Sequence, residues 1–319
     1  MTETTDINIL RPQKWRDFHG QPNLVKSLQI AIEAAKSRQE PVEHILLYGP
    51  PGLGKTTLAT IIANEMGVNV KITSGPAMTR AGDLASILTG LEKNDVLFID
   101  EIHRLNKVVE EALYPAMEDR AIDIVLGKGV GAKNMRLDLS PFTLIGATTQ
   151  AGKISSPLRD RFGIVHRLDL YQPDELREII DNAAKKLKFT LDIESAMEIA
   201  KRSRGTARIA LKLLRRVRDY ILIQHNDKTS LQTAKEALDF YNVDEEGLDE
   251  TDRKLLQAII THYDGGPVGL ETLASLISES VETITQVYEP FLLQSGFMAK
   301  TPKGRVITEK ARTHLKLVI

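Results

Sequence analysis

The chain contains no cysteine, which excludes disulfide bonds and metal sites built on thiolates. This absence fits a reducing cytoplasm, and we expect a cytoplasmic protein. No apolar run approaches the length needed to cross a bilayer, and the polar, acidic residues Met1 to Asn8 do not form a signal peptide. We therefore expect no membrane association.

Excess charge of either sign is also missing, since the formal net charge is -1 at pH 7. A uniformly basic nucleic-acid binder is thereby excluded, and any such binding must come from a local patch. The 319 residues are 42% apolar and 27% charged, which is typical of a soluble globular protein. This length predicts two or three domains, and no internal repeat is apparent.

Apolar runs alternate with helical stretches over roughly the first 170 residues, the pattern of a parallel sheet covered on both faces. We predict strands at residues 45–48, 69–73, 96–99, 142–146 and 164–168. From Glu175 to Asn242 the pattern is helical, with Gly205 as the only glycine and no proline. The acidic run Asp244 to Gly247 then marks a boundary.

The C-terminal part predicts helices at 250–263, 270–278 and 281–294, followed by a hairpin within 297–308. Three helices and a hairpin are typical of a winged helix. We therefore predict an α/β domain over residues 1–172, an all-helical domain over 173–246 and a winged helix over 247–319.

The stretch Gly49-Pro50-Pro51-Gly52-Leu53-Gly54-Lys55-Thr56-Thr57 matches G-x-x-x-x-G-K-[ST] between a predicted strand and a predicted helix. In that context backbone N–H groups and the helix N-terminus bind a phosphate chain. Lys55 should reach the β- and γ-phosphates, and the Thr56 hydroxyl should ligate Mg²⁺. The alternative is an ordinary Gly/Pro turn before a helix.

The apolar strand from Asp95 ends in the carboxylates of Asp100 and Glu101. Its carboxyl end lies at the same sheet edge as the phosphate loop. Asp100 suits Mg²⁺, and Glu101 suits polarising a water for attack on a γ-phosphate. The alternative is a strand that merely ends in a solvated acidic turn.

These motifs, with the stretches Asp100-Glu101-Ile102-His103-Arg104-Leu105, 142–149 and 156–163, resemble the AAA+ ATPases. Within them, the similarity is to the motors that drive branch migration of Holliday junctions in homologous recombination and DNA repair. It runs from Arg11 to the C-terminal wing. It implies an AAA+ P-loop parallel-sheet domain, a helical lid and a winged helix. It also implies that the protein binds ATP and Mg²⁺ and forms a homohexameric ring on duplex DNA.

The resemblance also implies roles for residues outside the two motifs. Thr149 would be sensor 1, a polar group facing the γ-phosphate. Arg161 would be the arginine finger, whose guanidinium reaches the γ-phosphate bound by a neighbouring subunit. Arg159, two residues away, is the alternative candidate for this role. Arg208 resembles sensor 2, which reaches from the lid onto the nucleotide, although Ala207 stands where many members carry proline.

Further nucleotide contacts are implied by the resemblance, and by composition alone they could equally be packing or surface residues. With the loop residues, the implied set is Leu10, Arg11, Gly52, Gly54, Thr57, Glu118, Asp119, Arg120 and Tyr171.

A protruding hairpin is predicted over about 122–139, where two alternating arms flank the glycine-rich stretch 127–131. The alternative is an edge hairpin that covers the core. The resemblance implies that the hairpin docks a junction-binding partner through exposed Ile124, Val125, Leu126 and Val130. A junction resolvase is a further implied partner.

The segment from Gly296 to Ile319 carries six Lys/Arg residues against one acid. The resemblance implies contacts of Lys300 and Arg305 with the DNA backbone, and we predict Lys303 as a third DNA-contacting residue. Members of the family often carry arginine at position 300, and lysine should serve there because phosphate contact requires only positive charge. The alternatives are a dimerisation wing or a solvated tail.

Three other kinds of protein share parts of this pattern. A protein-remodelling chaperone would need an aromatic pore loop, and residues 74–88 contain no aromatic side chain. A clamp loader or replication initiator shares the ATP site without this wing and hairpin. A transcription regulator that uses ATP only as a switch would not need Glu101.

Overall fold

A computed structural model describes residues 9–126, 133–225 and 228–316, without the side chains of residues 125, 126, 133, 134 and 316. The predicted hairpin tip at 127–131 and the N-terminal residues Met1 to Asn8 therefore lie outside the described residues. The chain divides into two compact units. The first comprises Met1–Phe189 and Gly205–Leu211, and the second comprises Thr190–Arg204 and Lys212–Ile319.

The first unit is built on a parallel five-stranded sheet in the order β2-β3-β6-β1-β7. The strands are β1 (Ile45–Tyr48), β2 (Val70–Ser74), β3 (Val96–Asp100), β6 (Thr143–Thr148) and β7 (Ile164–Arg167). The central strands are apolar and buried because helices cover both faces. This order confirms the predicted sheet and places the carboxyl ends of β1, β3 and β6 side by side.

Six helices accompany the sheet in the described part of this unit: α1 (Pro22–Arg38), α2 (Lys55–Met66), α3 (Ala81–Leu88), α4 (Lys107–Glu118), α5 (Ser156–Arg159) and α6 (Pro173–Lys186). Helix α6, predicted to begin the helical domain, belongs to the compact unit of the sheet. The three-part division with limits at 172 and 246 stays a prediction.

The predicted hairpin is formed by β4 (Ala121–Leu126) and β5 (Lys133–Asp138), which pair antiparallel with Ile122 opposite Leu137. Ile122 is buried in the core, and Ile124 packs half-buried against that core. The prediction that Ile124 is exposed was therefore wrong, because alternation along a strand directs residues 122 and 124 to the same face. The side chains of Val125, Leu126 and Val130 lie outside the described residues.

The second unit is mainly helical and contains a small antiparallel hairpin before its last helix. Its elements are α7 (Ile193–Lys201), most of α8 (Ala207–Gln224), α9 (Leu231–Phe240), α10 (Glu250–Tyr263), α11 (Leu270–Ile277), α12 (Val281–Thr283), α13 (Glu289–Gln294), β8 (Met298–Thr301), β9 (Gly304–Ile307) and α14 (Glu309–Lys316). Helices α10 to α13 with the hairpin confirm the predicted winged helix. Its core contains Leu255, Leu273, Leu292 and Phe297.

The predicted helix over 281–294 is interrupted by a π-helical segment, Ile284–Tyr288. Pro290 lies in the turn that follows and lacks the N–H for an i→i−4 bond, so the wider turn accommodates its ring. Among the residues that the structure describes, no helix combines the length and the apolarity needed to cross a bilayer.

Candidate functional site

A cavity of about 460 Å³ lies in the first unit, at the carboxyl edge of the sheet. Twelve of the predicted site residues line it: Leu10, Arg11, Gly52, Gly54, Lys55, Thr56, Thr57, Asp100, Glu101, Thr149, Tyr171 and Arg208. The structure thus brings together the phosphate loop, the carboxylates after β3, the residue after β6 and the first turn of α8. Because parallel strands end at one edge, residues far apart in sequence meet here.

The phosphate loop between β1 and α2 owes its shape to left-handed glycine conformations. Gly52 has a φ of 83°, and a Cβ there would lie 2.9 Å from the Cβ of Arg208. The Lys55 side chain is buried, and its Nζ donates to the carbonyls of Gly49 and Pro50 at 2.8 Å each. Burial lowers the pKa of Lys55 to about 8, against the raising effect of the nearby Asp100 and Glu101 carboxylates.

The two carboxylates at the end of β3 are held by an unusual backbone turn. Glu101 is in the left-handed region with a φ of 50°, and its N–H donates to Oδ1 of Asp100 at 2.9 Å. A Cβ on Gly75 would lie 2.5 Å from the Glu101 carbonyl oxygen, so only glycine fits beside this turn. A strained conformation at a non-glycine residue persists where its surroundings determine it.

The opposite wall of the cavity is formed by Arg208 and Tyr171. The backbone N–H of Arg208 donates to the Gly52 carbonyl at 3.2 Å. Helix α8 begins at Ala207, and Oγ1 of Thr206 accepts the N–H of Ile209 at 3.4 Å, so the helix start is capped without proline. The Tyr171 hydroxyl donates to the Leu53 carbonyl at 3.0 Å, and burial raises the pKa of Tyr171.

Four of the predicted nucleotide-site residues do not line this cavity. Glu118, Arg120 and Arg161 line a second cavity of about 370 Å³ in the same unit, and the Asp119 carboxylate accepts from Arg136 at 2.7 Å. Arg161 donates to the Glu118 carboxylate at 3.1 Å and to the Pro157 carbonyl at 2.6 Å. Within one chain, Arg161 is therefore engaged away from the phosphate loop.

The predicted DNA-contacting residues of the wing differ in their surroundings. Lys300 and Lys303 are exposed on the hairpin of β8 and β9, and no ion pair involves either of them within the described residues. Arg305 is instead largely buried and forms hydrogen bonds of 3.0 and 3.1 Å to the two carboxylate oxygens of Glu289. Its charge is therefore balanced within the winged helix.

Family models match nearly the whole chain. The P-loop domain of the Holliday junction DNA helicase RuvB matches residues 10–168, the RuvB AAA lid domain matches 171–244, and the RuvB C-terminal winged helix domain matches 245–316. The chain belongs to the RuvB family. The predicted resemblance is thereby confirmed, with its order of sheet domain, lid and winged helix.

Relatives within the RuvB family are similar over most of their length. The Holliday junction branch migration complex subunit RuvB of Fusobacterium nucleatum is 56% identical over 309 residues, which is 97% of this chain and 93% of the relative. The subunit of the same name from Clostridium kluyveri is 57% identical over 305 residues, 96% of this chain and 87% of the relative.

Solved RuvB structures have the same fold. The RuvB Holliday junction branch migration motor of Thermotoga maritima superposes with a TM-score of 0.87 at 52% identity, covering 97% of this chain and 98% of that one. The phosphate loop and the Asp100 and Glu101 carboxylates that line the cavity described above lie in the region matched by the RuvB P-loop domain.

Some residues that line the cavity at the carboxyl edge of the sheet were not predicted. The Phe18 ring lies 3.4 Å from the position that a Cβ on Gly54 would take, and His19 also lines the cavity. The His19 ring contacts Glu178 at 3.2 Å and Asn182 at 2.6 Å, both on α6. No motif links Phe18 or His19 to the phosphate loop, and only the fold brings them together.

Proposed function

We propose that this chain is the ATP-hydrolysing motor subunit of a complex that drives branch migration of Holliday junctions during recombination and DNA repair. The observation that carries the proposal is the cavity that joins Lys55, Glu101, Thr149 and Arg208 in a chain matched by RuvB models from residue 10 to 316. Each of these side chains has a distinct task in phosphoryl transfer.

The loop N–H groups and Lys55 hold the phosphate chain, and the buried ammonium compensates its negative charge. Glu101 accepts a proton from the water that attacks the γ-phosphate. Thr149 donates to that phosphate, and Arg208 binds the nucleotide from α8. Nucleotide thus links the sheet to the first turn of the lid helix.

Mg²⁺ is the metal that this donor set fits. The Thr56 hydroxyl and the Asp100 carboxylate are hard oxygen donors that line the same cavity. When bound, the ion would supply charge compensation to the phosphate oxygens. Lys55, which interacts electrostatically with the Asp100 carboxylate, supplies further positive charge.

Arg161 supports assembly into a homohexameric ring. Its side chain does not line the proposed nucleotide cavity of its own chain and lies instead in the second cavity with Glu118 and Arg120. A planar guanidinium donated to a neighbouring copy would neutralise charge that develops on the γ-phosphate. Hydrolysis would then require contact between subunits.

DNA and protein partners complete the proposal. Exposed Lys300 and Lys303 supply phosphate contacts that are independent of base sequence. The hairpin of β4 and β5 is the docking element for a RuvA-like junction-binding protein, with a RuvC-like resolvase as a further partner of the complex. Met135, 39% exposed on β5, is an apolar contact available on that hairpin.

The test is ATP-dependent branch migration of a synthetic four-way junction, with and without a RuvA-like protein. We expect ATP-dependent branch migration that the RuvA-like protein stimulates. In Lys55→Ala we expect loss of both nucleotide binding and branch migration. Turnover of ATP by Lys55→Ala at the wild-type rate would contradict the assigned site. Turnover without any junction movement would instead favour a clamp-loader type of ATPase.

A further inference from the structure

A buried histidine connects the proposed catalytic carboxylate to the end of strand β6. His103 lies in the 3₁₀ turn Ile102–Arg104 that follows Glu101, and its side chain is only 4% exposed. Its Nε2 lies 3.4 Å from Oε2 of Glu101, and its Nδ1 lies 2.8 Å from Oγ1 of Thr148. None of the roles assigned above uses this ring.

The contacts of both ring nitrogens, Nε2 with Glu101 and Nδ1 with Thr148, together indicate which nitrogen carries the proton. Oγ1 of Thr148 is buried and accepts the backbone N–H of Gln150 at 2.9 Å. Its own proton is free to go to Nδ1 of His103, and the ring then carries its proton on Nε2, facing the Glu101 carboxylate. The reverse tautomer would direct a lone pair at a carboxylate. Burial also lowers the pKa of His103, which favours the neutral ring.

The backbone around Glu101 leaves the carboxylate as the adjustable part. The left-handed turn, the bond from the Glu101 N–H to Asp100 and the close approach of Gly75 determine the position of the main chain. A glutamate side chain has several rotatable bonds beyond that point, and its head is ordered only by the groups that it contacts. His103 is such a group.

We propose that His103 is a positioning residue that holds the Glu101 carboxylate toward the attacking water and connects it to β6 through Thr148. Thr148 immediately precedes Thr149, which lines the nucleotide cavity. A change at the end of β6 therefore reaches Glu101 through one ring and one hydroxyl. This inference rests on the proposed ATP hydrolysis and adds the residue that orients its base.

Two amide substitutions separate the two contacts. The amide of His103→Gln falls near the position of Nε2 and reaches Glu101, whereas the amide of His103→Asn falls near Nδ1 and reaches only Thr148. We expect kcat to fall about 10- to 100-fold in His103→Asn and His103→Ala, because misplacing a catalytic group by about 1 Å costs that much. His103→Gln should keep most of the rate. ATP affinity and Tm should agree between the Gln and Asn variants.

A double-variant cycle excludes a merely structural role. In a Glu101→Gln background, exchanging His103 for Asn should cause no further loss of the residual rate, since the carboxylate that it orients is gone. Thr148→Val, which removes the hydroxyl at constant shape, should lower kcat without changing ATP affinity, and Thr148→Ser should restore it. Equal kcat in wild type, His103→Gln and His103→Asn would overturn the inference, as would additive losses in the cycle.

The proposed function fails in a different way. A wild-type chain that binds ATP without turnover, with duplex DNA and a four-way junction present, would overturn both the motor assignment and the role of His103. Normal wild-type turnover with unchanged His103 variants would overturn the role of His103 alone.

Discussion

The guanidinium carbon of Arg161 lies 4.3 Å from the centre of the Tyr114 ring, so the cation rests on an aromatic face. Tyr114 is itself held, because its hydroxyl donates to Glu110 at 2.7 Å. With the bonds to Glu118 and Pro157, Arg161 has a defined orientation within a single chain. A finger that is oriented before assembly loses little side-chain freedom when a neighbour's nucleotide arrives.

Arg161→Ala should bind ATP with unchanged affinity and hydrolyse it more slowly by roughly 10³-fold, the usual contribution of an arginine finger. Mixed with Glu101→Gln chains, it should regain turnover, because some interfaces then combine an intact finger with an intact base. The measurement is steady-state ATPase of the single variants and of their mixtures. Absence of any gain on mixing would count against action between subunits.

Gly52→Ala should weaken ATP binding by at least about tenfold. The new methyl would strain a left-handed turn and would lie too close to the Cβ of Arg208. The matched control is Gly67→Ala, where φ is 73° and nothing lies within 4 Å of the new Cβ. Both substitutions introduce backbone strain, and only the first reaches the phosphate loop. Equal ATP affinity of the two variants, measured by titration calorimetry, would contradict the geometry.

The wing lysines and Arg305 should have separable effects. Lys300→Gln with Lys303→Gln should weaken duplex binding evenly across sequences and reduce the slope of log K against log salt by about 2, at unchanged Tm. The control exchanges Lys26 and Lys185, two exposed lysines of the first unit, for glutamine. A slope that stays at the wild-type value would remove these lysines from the DNA contact.

Arg305→Ala should instead destabilise the winged helix by about 3 kcal/mol, because it leaves the buried Glu289 carboxylate without its partner. Chemical unfolding measures this change. Pairing the substitution with Glu289→Gln should recover much of the lost stability. If Arg305→Ala keeps full stability and loses DNA binding, Arg305 acts on phosphate as first predicted.

The second unit should be sensitive to pH through Asp252. Burial raises the pKa of Asp252 from 3.8 to about 7, although Arg204 lies beside it and opposes the shift. Because the folded pKa lies above the unfolded one, the folded state keeps a proton that the unfolded chain has released. This contribution to stability is present below pH 4 and is lost as pH rises through about 7.

We therefore expect the Tm of wild type to fall relative to that of Asp252→Asn between pH 5 and 8. The two Tm values should diverge in this direction because the amide side chain of the variant does not ionise, so only wild type loses stability as the pH rises. The control is Asp219→Asn, which replaces an exposed carboxylate of the same unit. Tm curves of wild type and Asp252→Asn that run parallel over this range would contradict the shift.

Sequence patterns predicted those strands and helices that are encoded in short, continuous stretches of the chain. Strands β1 and β3 were found within a residue or two, since each is a buried apolar run. Because parallel strands end at a common edge, Asp100 and Glu101 were predicted to lie beside the phosphate loop. Thr149, Tyr171 and Arg208 were predicted from the resemblance to the AAA+ motors.

Contacts between distant positions had no such signal. The pairing of Arg305 with Glu289, the ring of His103 on Thr148 and the entry of Phe18 into the cavity each depend on packing that one sequence does not display. The half-burial of Ile124 was missed for the same reason, because exposure depends on which face of a hairpin meets the core.

The bond from the Arg208 amide to the Gly52 carbonyl has a consequence for product exit. That carbonyl belongs to the same peptide plane as the Leu53 N–H, so a tilt of the first turn of α8 would rotate a peptide of the phosphate loop. If the chain hydrolyses ATP as proposed, release of the product would therefore be coupled to a tilt of this turn.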